Sequence, residues 1–297
     1  MSLNNDAILE TSCSIQGMKN GKTCVSGDVA KIIQEIDPSF DPETMGQTTQ
    51  ELNTLLNNVD ELKKRLGEKE FLSQLDNFKA IGPANSTDYF NNFVIYRAYS
   101  LLNQHDPTFY PVNVQLIDFY ESNQSYDTSL RDMVEDGSLI NKIRTGQVKS
   151  VGVILNTLTS QNYTKKDIVG HWVAIFMDFR NRDPKLGSYT IEYFNSSGNP
   201  APTNLFNWMK KLASKIQSET DVKTIALNVS NVVHQKGHTE CGPYSVFYIY
   251  SRVCGTHYKK FREKEIPDKI MHRFRQRILI PESEIKNKKV LDELSYI

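Results

Sequence analysis

The chain has 297 residues, and its 35 lysines and arginines are balanced by 35 aspartates and glutamates, so the formal net charge is zero. That balance argues against a protein bound mainly to bulk nucleic acid, although it leaves a local basic patch open. With 39% hydrophobic and 24% charged residues the composition is ordinary globular material, enough for two domains or for one large domain with an appendage.

The opening MSLNNDAILETSCSIQG has no basic stretch followed by an apolar one, so no secretory signal is expected. No apolar run is long enough to span a bilayer, so no membrane partner is expected either. The four cysteines, Cys13, Cys24, Cys241 and Cys254, show no C-x-x-C spacing. Neither a zinc site nor a disulfide framework is expected from them, and no metal or cofactor is called for. A reducing compartment is the default, and there a free thiol stays available for chemistry.

The first part reads as helical. Val29, Ile32, Ile33 and Ile36 form a short amphipathic stripe that stops before Pro38. Leu52, Leu55, Leu56, Val59, Leu62 and Leu66 recur at helical spacing and predict one helix ended by Gly67. Phe71, Leu72, Leu75 and Phe78 repeat the pattern. A helical arm domain over residues 1–84 follows. A two-stranded coiled coil is the weaker alternative, because the pattern is short and interrupted at Gly67.

The turn-rich IGPANSTDYF marks the expected boundary with a main domain at 85–280. Tyr96 to Leu102 is read as helical. Four runs rich in β-branched and aromatic residues predict strands: Ser150 to Asn156, His171 to Phe179, Ser188 to Asn195 and Lys223 to Ser230. Leu205, Trp208, Met209, Leu212 and Ile216 make a helical stripe, Cys241 to Val253 a largely buried helix, and Asp268 to Leu279 another. Residues 281–297 are charged and read as a loosely attached tail. The main domain is therefore α+β, a sheet with helices, one of which starts at a cysteine.

That cysteine lies in HQKGHTECGPYS, His234 to Ser245. Proline suits the first turn of a helix, where its missing N–H is not needed. The Cys241 sulfur is thus expected near a helix N-terminus, which stabilises a thiolate. A histidine partner together with this placement can lower a thiol pKa from about 8.5 to roughly 3.5–7.5. The competing reading is a small buried hydrophobe; for Cys254, inside an apolar run, that is the better one. A nucleophile needs a base. His171 opens a strand, so it stands at a sheet rim, whereas His105, His257 and His272 lie in loop or surface-helix contexts. The base needs an orienting acceptor. Asn195 ends the next strand, and antiparallel pairing would place it beside His171; otherwise it is a turn asparagine. The oxyanion of acyl transfer needs donors. The Cys241 backbone N–H is one, and Gln235 on the preceding loop offers a side-chain N–H. His234 and His238 compete for that job or for a second base, and the sequence does not rank them.

The order His-Trp, Asn, Gln, Cys-Gly in HWVAIFMDFR, IEYFNSSGN and HQKGHTECGPYSVFYI resembles the Ulp1 and adenovirus-protease clan of cysteine proteases. Within it, the blocks are similar to the branch that includes the polyprotein-processing protease of African swine fever virus and mimivirus-type thiol proteases. The resemblance covers roughly Ile81 to Leu279. It implies a central mixed sheet flanked by helices, with an N-terminal helical arm. By position it makes His171 the base, Asn195 its orienting residue, Cys241 the nucleophile, Gln235 the oxyanion donor, and Trp172 the tryptophan that shields the histidine's hydrogen bond. Much of the clan has aspartate at the place of Asn195; asparagine orients without adding charge. The implied partner is a polypeptide: viral structural or core precursors cut after Gly-Gly-type motifs during virion maturation, in the virion or the host cytoplasm. The alternatives are a deconjugating protease for ubiquitin-like modifiers and a non-catalytic binding module, which would have broken site residues. A nucleic-acid or peptide activator is not indicated by the charge, and the oligomeric state is not readable.

Overall fold

The computed structural model describes residues 13–18, 21–44, 48–121, 127–165, 170–183 and 187–287. The chain divides into two compact units, one formed by residues 1–88 with 273–297 and the other by 89–272.

In the first unit, helices α1 (Ile15–Met18), α2 (Gly27–Ile36), α3 (Thr48–Asn57), α4 (Val59–Leu66) and α5 (Glu68–Leu75) lead to the short strand β1 (Ala80–Gly82). The single helix expected across Leu52 to Leu66 is two. Asn58, at φ −126° and ψ 34°, leaves the helical region, and its side chain turns back to donate to the Thr54 carbonyl. Gly67 ends α4, and its φ of 81° is a value that favours glycine. The apolar stripes meet in a core of Val29, Ile33, Phe40, Leu52, Leu55, Leu56, Leu62, Phe71 and Phe78.

Two expectations for this unit are corrected. Cys13 and Cys24 form a disulfide, with Cα atoms 5.2 Å apart; their pairing is a tertiary neighbourhood that no spacing motif marks. Nor is the segment after residue 280 a loose tail where it is described. Residues 279–281 form a strand parallel to β1, Ile280 and Ile285 are buried in the same core, and Asn53 bonds to Glu284 O and Lys286 N. Residues 288–297 lie outside the described part. The compact units also put the division at Asp88/Tyr89 and again at His272/Arg273, inside a helix, instead of at 84/85 and 280/281.

The second unit contains α6 (Asn92–Ser100), β2 (Phe109–Pro111), β3 (Gln115–Leu116), α7 (Ser129–Glu135), α8 (Ser138–Arg144), β4 (Ser150–Asn156), β5 (Trp172–Asp183), β6 (Ser188–Phe194), α9 (Thr203–Thr220), β7 (Thr224–Asn228), α10 (Cys241–Val253) and α11 (Lys260–Glu263). Helix α12 (Asp268–Ile278) starts here and crosses into the first unit, where β8 (Leu279–Pro281) follows it. The sheet order is β2-β4-β5-β6-β7, with β3 also on β4. Strands β4, β5 and β6 pair antiparallel, while β2, β3 and β7 join parallel. The sheet is mixed, and the fold is α+β.

Its central strands are rich in β-branched and aromatic residues because both faces are covered. Val173, Ile175 and Met177 point into a core shared with Leu205, Met209, Leu212 and Ile216 of α9. The other face takes α10, every residue of which is buried. The far end of α10 is fixed to the sheet by charge. Arg252 holds Glu192 of β6 at 2.7 Å and Asp178 of β5 at 2.9 Å, and the Tyr248 hydroxyl donates to Glu192 at 2.6 Å. Buried charges are tolerated when they are paired in this way. Cys254, expected inside this apolar run, lies just past the helix and is exposed. Among the described residues, no helix is long and apolar enough to cross a membrane, and no group of three or more His, Cys, Asp or Glu side chains is placed to hold a metal.

Candidate active site

The antiparallel register of β5 and β6 pairs Ala174 with Phe194, so the start of one strand adjoins the end of the other. His171 immediately precedes β5 and Asn195 immediately follows β6, and His171 Nε2 lies 2.8 Å from Asn195 Oδ1. The atoms have defined roles. Asn195 Oδ1 also accepts the Ser197 backbone N–H at 2.9 Å and its hydroxyl at 2.7 Å. A backbone N–H only donates, so the amide oxygen faces His171. Nε2 therefore carries the proton, and in the neutral ring Nδ1 keeps its lone pair. Asn195 is itself held, with its backbone N–H donating to Ser230 Oγ at 2.6 Å. His171 is held through its main chain, donating to Thr157 Oγ1 at 2.9 Å and accepting Thr157 N–H at 2.8 Å.

Cys241 is the first residue of α10 and is 3% exposed. The backbone N–H groups of Trp172, Gly242 and Cys241 lie close enough to its sulfur to favour the charged form. The Trp172 contact sets the sulfur beside the residue that follows His171. The helix start has no acceptor of its own for these N–H groups. Gly242 is required by space: a Cβ there would meet the Phe90 side chain at 2.9 Å. The Phe90 carbonyl in turn accepts the Trp172 indole N–H at 3.2 Å, so Trp172 touches the site through both backbone and ring.

The electrostatics differ from expectation in one respect. Burial pushes the Cys241 thiol above its ordinary value of 9.0 despite the three N–H groups, with Glu240 adding to the rise. The lowered thiol pKa expected from the helix N-terminus is not found, because desolvation of the sulfur outweighs the local dipole. Burial also lowers His171 from 6.5, while its bond to Asn195 works the other way. The resting pair is thus a thiol beside a neutral imidazole.

Gln235 lies on the loop before α10. Its backbone N–H donates to the Ser196 carbonyl at 3.0 Å, its Oε1 accepts the Ser196 hydroxyl at 2.8 Å, and its Nε2 donates to the Gly237 carbonyl at 2.9 Å. Its second Nε2–H makes no hydrogen bond among the described residues. His234 is not a competitor. It is 1% exposed, with Nε2 3.0 Å from the Phe261 carbonyl and Nδ1 accepting Ile266 N–H at 3.1 Å. His238 is exposed, and His272 stands 3.4 Å from the buried Glu240 carboxylate. The sequence reading missed Ser196, which looked like one more turn serine, and Phe90, which no local pattern marks. A cavity of about 490 Å³, lined by Asp106, Lys149, Phe179, Arg180 and Tyr189 among others, lies at the opposite end of the same strands and contains none of the expected site residues.

A free thiol at a helix start and an oriented neutral imidazole at a sheet rim define the thiol-hydrolase class. The sequence matches the model of the Ulp1 protease family, C-terminal catalytic domain, over residues 164–290. The chain belongs to the Ulp1 family of cysteine proteases. A protein of African swine fever virus, described as a SUMO-1 cysteine protease in a Pig/Kenya isolate, is 34% identical over 203 residues, 67% of this chain and 70% of that protein. Its counterpart in a Tick/Malawi isolate, described as a cysteine protease, matches to the same extent. The crystal structure of the African swine fever virus protease aligns with a TM-score of 0.70 at 26% identity, covering 91% of this chain and 96% of that one.

Proposed function

We propose that Cys241 is the nucleophile of a viral endopeptidase that cuts precursor proteins after Gly-Gly-type sequences. The observation that carries this reading is the His171–Asn195 pair, fixed with Nε2 protonated, near a sulfur whose charged form the Trp172 N–H favours. As the sulfur attacks the peptide carbonyl, the C–S bond forms and His171 Nδ1 takes the thiol proton. The carbonyl oxygen becomes an oxyanion, with the Cys241 N–H and the free Gln235 Nε2–H as its donors. On collapse the C–N bond breaks, and the imidazolium gives its proton to the leaving amine. Water then attacks the thioester, with His171 as base again. Trp172 shields the His171–Asn195 bond from solvent. No metal or cofactor enters these steps.

The resemblance to the clan supports the glycine preference. Glycine offers no side chain to a narrow groove and tolerates backbone conformations other residues avoid. The African swine fever virus relatives support viral precursors as substrates, in the virion or the infected cell. The printed description of one of them as a SUMO-1 cysteine protease, with the Ulp1 family itself, favours a second reading: removal of a ubiquitin-like modifier. A non-catalytic module is disfavoured, because no site residue is broken. The test is incubation of the purified chain with peptides containing Gly-Gly-X and with ubiquitin-like fusions. Cutting of the free peptides supports precursor processing; cutting of the fusions alone moves the function to deconjugation.

A further inference from the structure

The loop that presents Gln235 is held from three sides. At its front, His234 is locked by Phe261 and Ile266. At its back, Asp268, the first residue of α12, reaches over to the next two backbone amides. Its Oδ2 accepts Gly237 N–H at 2.8 Å and Lys236 N–H at 3.2 Å. From below, the Tyr244 hydroxyl of α10 lies 2.9 Å from Asp268 Oδ1, 2.6 Å from the Ile266 carbonyl and 3.2 Å from the His234 carbonyl. A carboxylate at the first position of a helix ordinarily serves that helix's own N-terminus. Here it binds successive amides of another segment, an arrangement that fixes a loop in one conformation. The amide it grips most tightly belongs to Gly237, whose carbonyl orients Gln235 Nε2. The contacts run in series: Asp268 to Gly237 N–H, Gly237 carbonyl to Gln235 amide, and Gln235 Oε1 to Ser196.

We propose that Asp268 is a positioning residue for acyl transfer: through Gly237 it fixes the direction in which Gln235 offers its remaining N–H. The proposal rests on the reading of Gln235 as oxyanion donor. Without the carboxylate the amide keeps Ser196 but loses the fixed carbonyl on its other side, so it samples orientations that miss the oxyanion. His171 is held by Thr157 and Asn195, and Tyr244 keeps its bonds to the Ile266 and His234 carbonyls, so the sulfur and the imidazole are expected to stay in place.

The test compares two reactions of the same thiol in the full chain. Hydrolysis of acetyl-Gly-Gly p-nitrophenyl ester passes through an oxyanion, while alkylation by iodoacetamide does not. Asp268→Ala is expected to lower kcat/KM for the ester about tenfold, a fraction of what a whole donor is worth, with the alkylation rate within about twofold of wild type. Asp268→Asn keeps one acceptor oxygen; it is expected to recover part of the loss, and it carries the comparison if the alanine variant does not fold. In a Gln235→Ala background, itself about 100-fold down, Asp268→Ala is expected to add less than about twofold. An undiminished Asp268→Ala effect in that background, or an equal loss in alkylation, overturns the proposal. Loss in Gln235→Ala with none in Asp268→Ala sinks the tether alone. No loss in Gln235→Ala sinks the oxyanion reading and the tether with it.

Discussion

Asn195 has an amide where much of the clan has a carboxylate, and the difference reaches His171 directly. The amide oxygen orients the ring without stabilising its charged form beyond a hydrogen bond, while burial works against that charge. Asn195→Asp places a negative charge at the same distance and should raise the His171 pKa. The acidic limb of a pH–rate profile, expected below 6.5 in the wild type, should then move to higher pH. A limb that stays in place would show that another group controls it. The sulfur makes a separate prediction. Its thiol stands above 9.0, so alkylation of Cys241 should climb with pH through a midpoint in the alkaline range. A midpoint near neutrality would mean that a thiolate–imidazolium pair already exists at rest.

At the scale of elements, the site is the meeting of two strand ends and one helix start. Phe90 leans on Gly242 and holds the Trp172 indole. Gly242→Ala would drive a methyl into Phe90; the ring must shift, and the Trp172 N–H on the sulfur shifts with it. An activity loss of about tenfold at unchanged peptide affinity is expected, since overpacking typically costs about 1–3 kcal/mol. Unaltered kinetics would show that Phe90 has room to move. The elements that carry the site were the legible ones. Strands β4, β5 and β6 are rich in β-branched and aromatic residues, and α10 is a largely apolar run behind its Gly-Pro start. Strands β1, β2, β3 and β8 span two or three residues and leave no periodicity to read. The break at Asn58 was hidden because α3 and α4 keep one stripe across it. Cys241 stood out as a candidate nucleophile from its polar approach and helix start, but the direction of its thiol pKa shift did not, because burial is a property of the packed molecule. Ser196 and Asp268 meet the Gln235 loop through contacts from distant chain, which no spacing rule marks.

For the molecule as a whole, the half-buried His171 and the buried His234 tie stability to pH. His171 and His234 are both held below 6.5 by burial. The unfolded chain, with ordinary histidines, binds the more protons below that value, so unfolding becomes more favourable as pH falls through it and is unaffected well above it. The melting temperature should therefore be flat in mildly alkaline buffer and fall between about pH 7 and 5. A Tm that holds constant across that window would contradict the burial assigned to these rings. In the first unit the Cys13–Cys24 disulfide closes a short loop, with a sequence separation of 11. Its removal by Cys13→Ser with Cys24→Ser should cost about 2–3 kcal/mol, seen as lost amide-exchange protection over residues 13–25. Unchanged protection there would mean that the core around Phe78 holds the segment unaided.

The central claim is that Cys241, activated by His171, is the thiol that attacks a peptide carbonyl. The chain offers a built-in control, since Cys254 also lies outside the disulfide and is exposed. The most direct measurement is intact-mass and peptide mapping after reaction with a peptide ending in a Gly-Gly vinyl methyl ester. The account predicts one adduct, on Cys241, absent in Cys241→Ala and strongly slowed in His171→Ala. An adduct on Cys254, or an undiminished rate in His171→Ala, would contradict it.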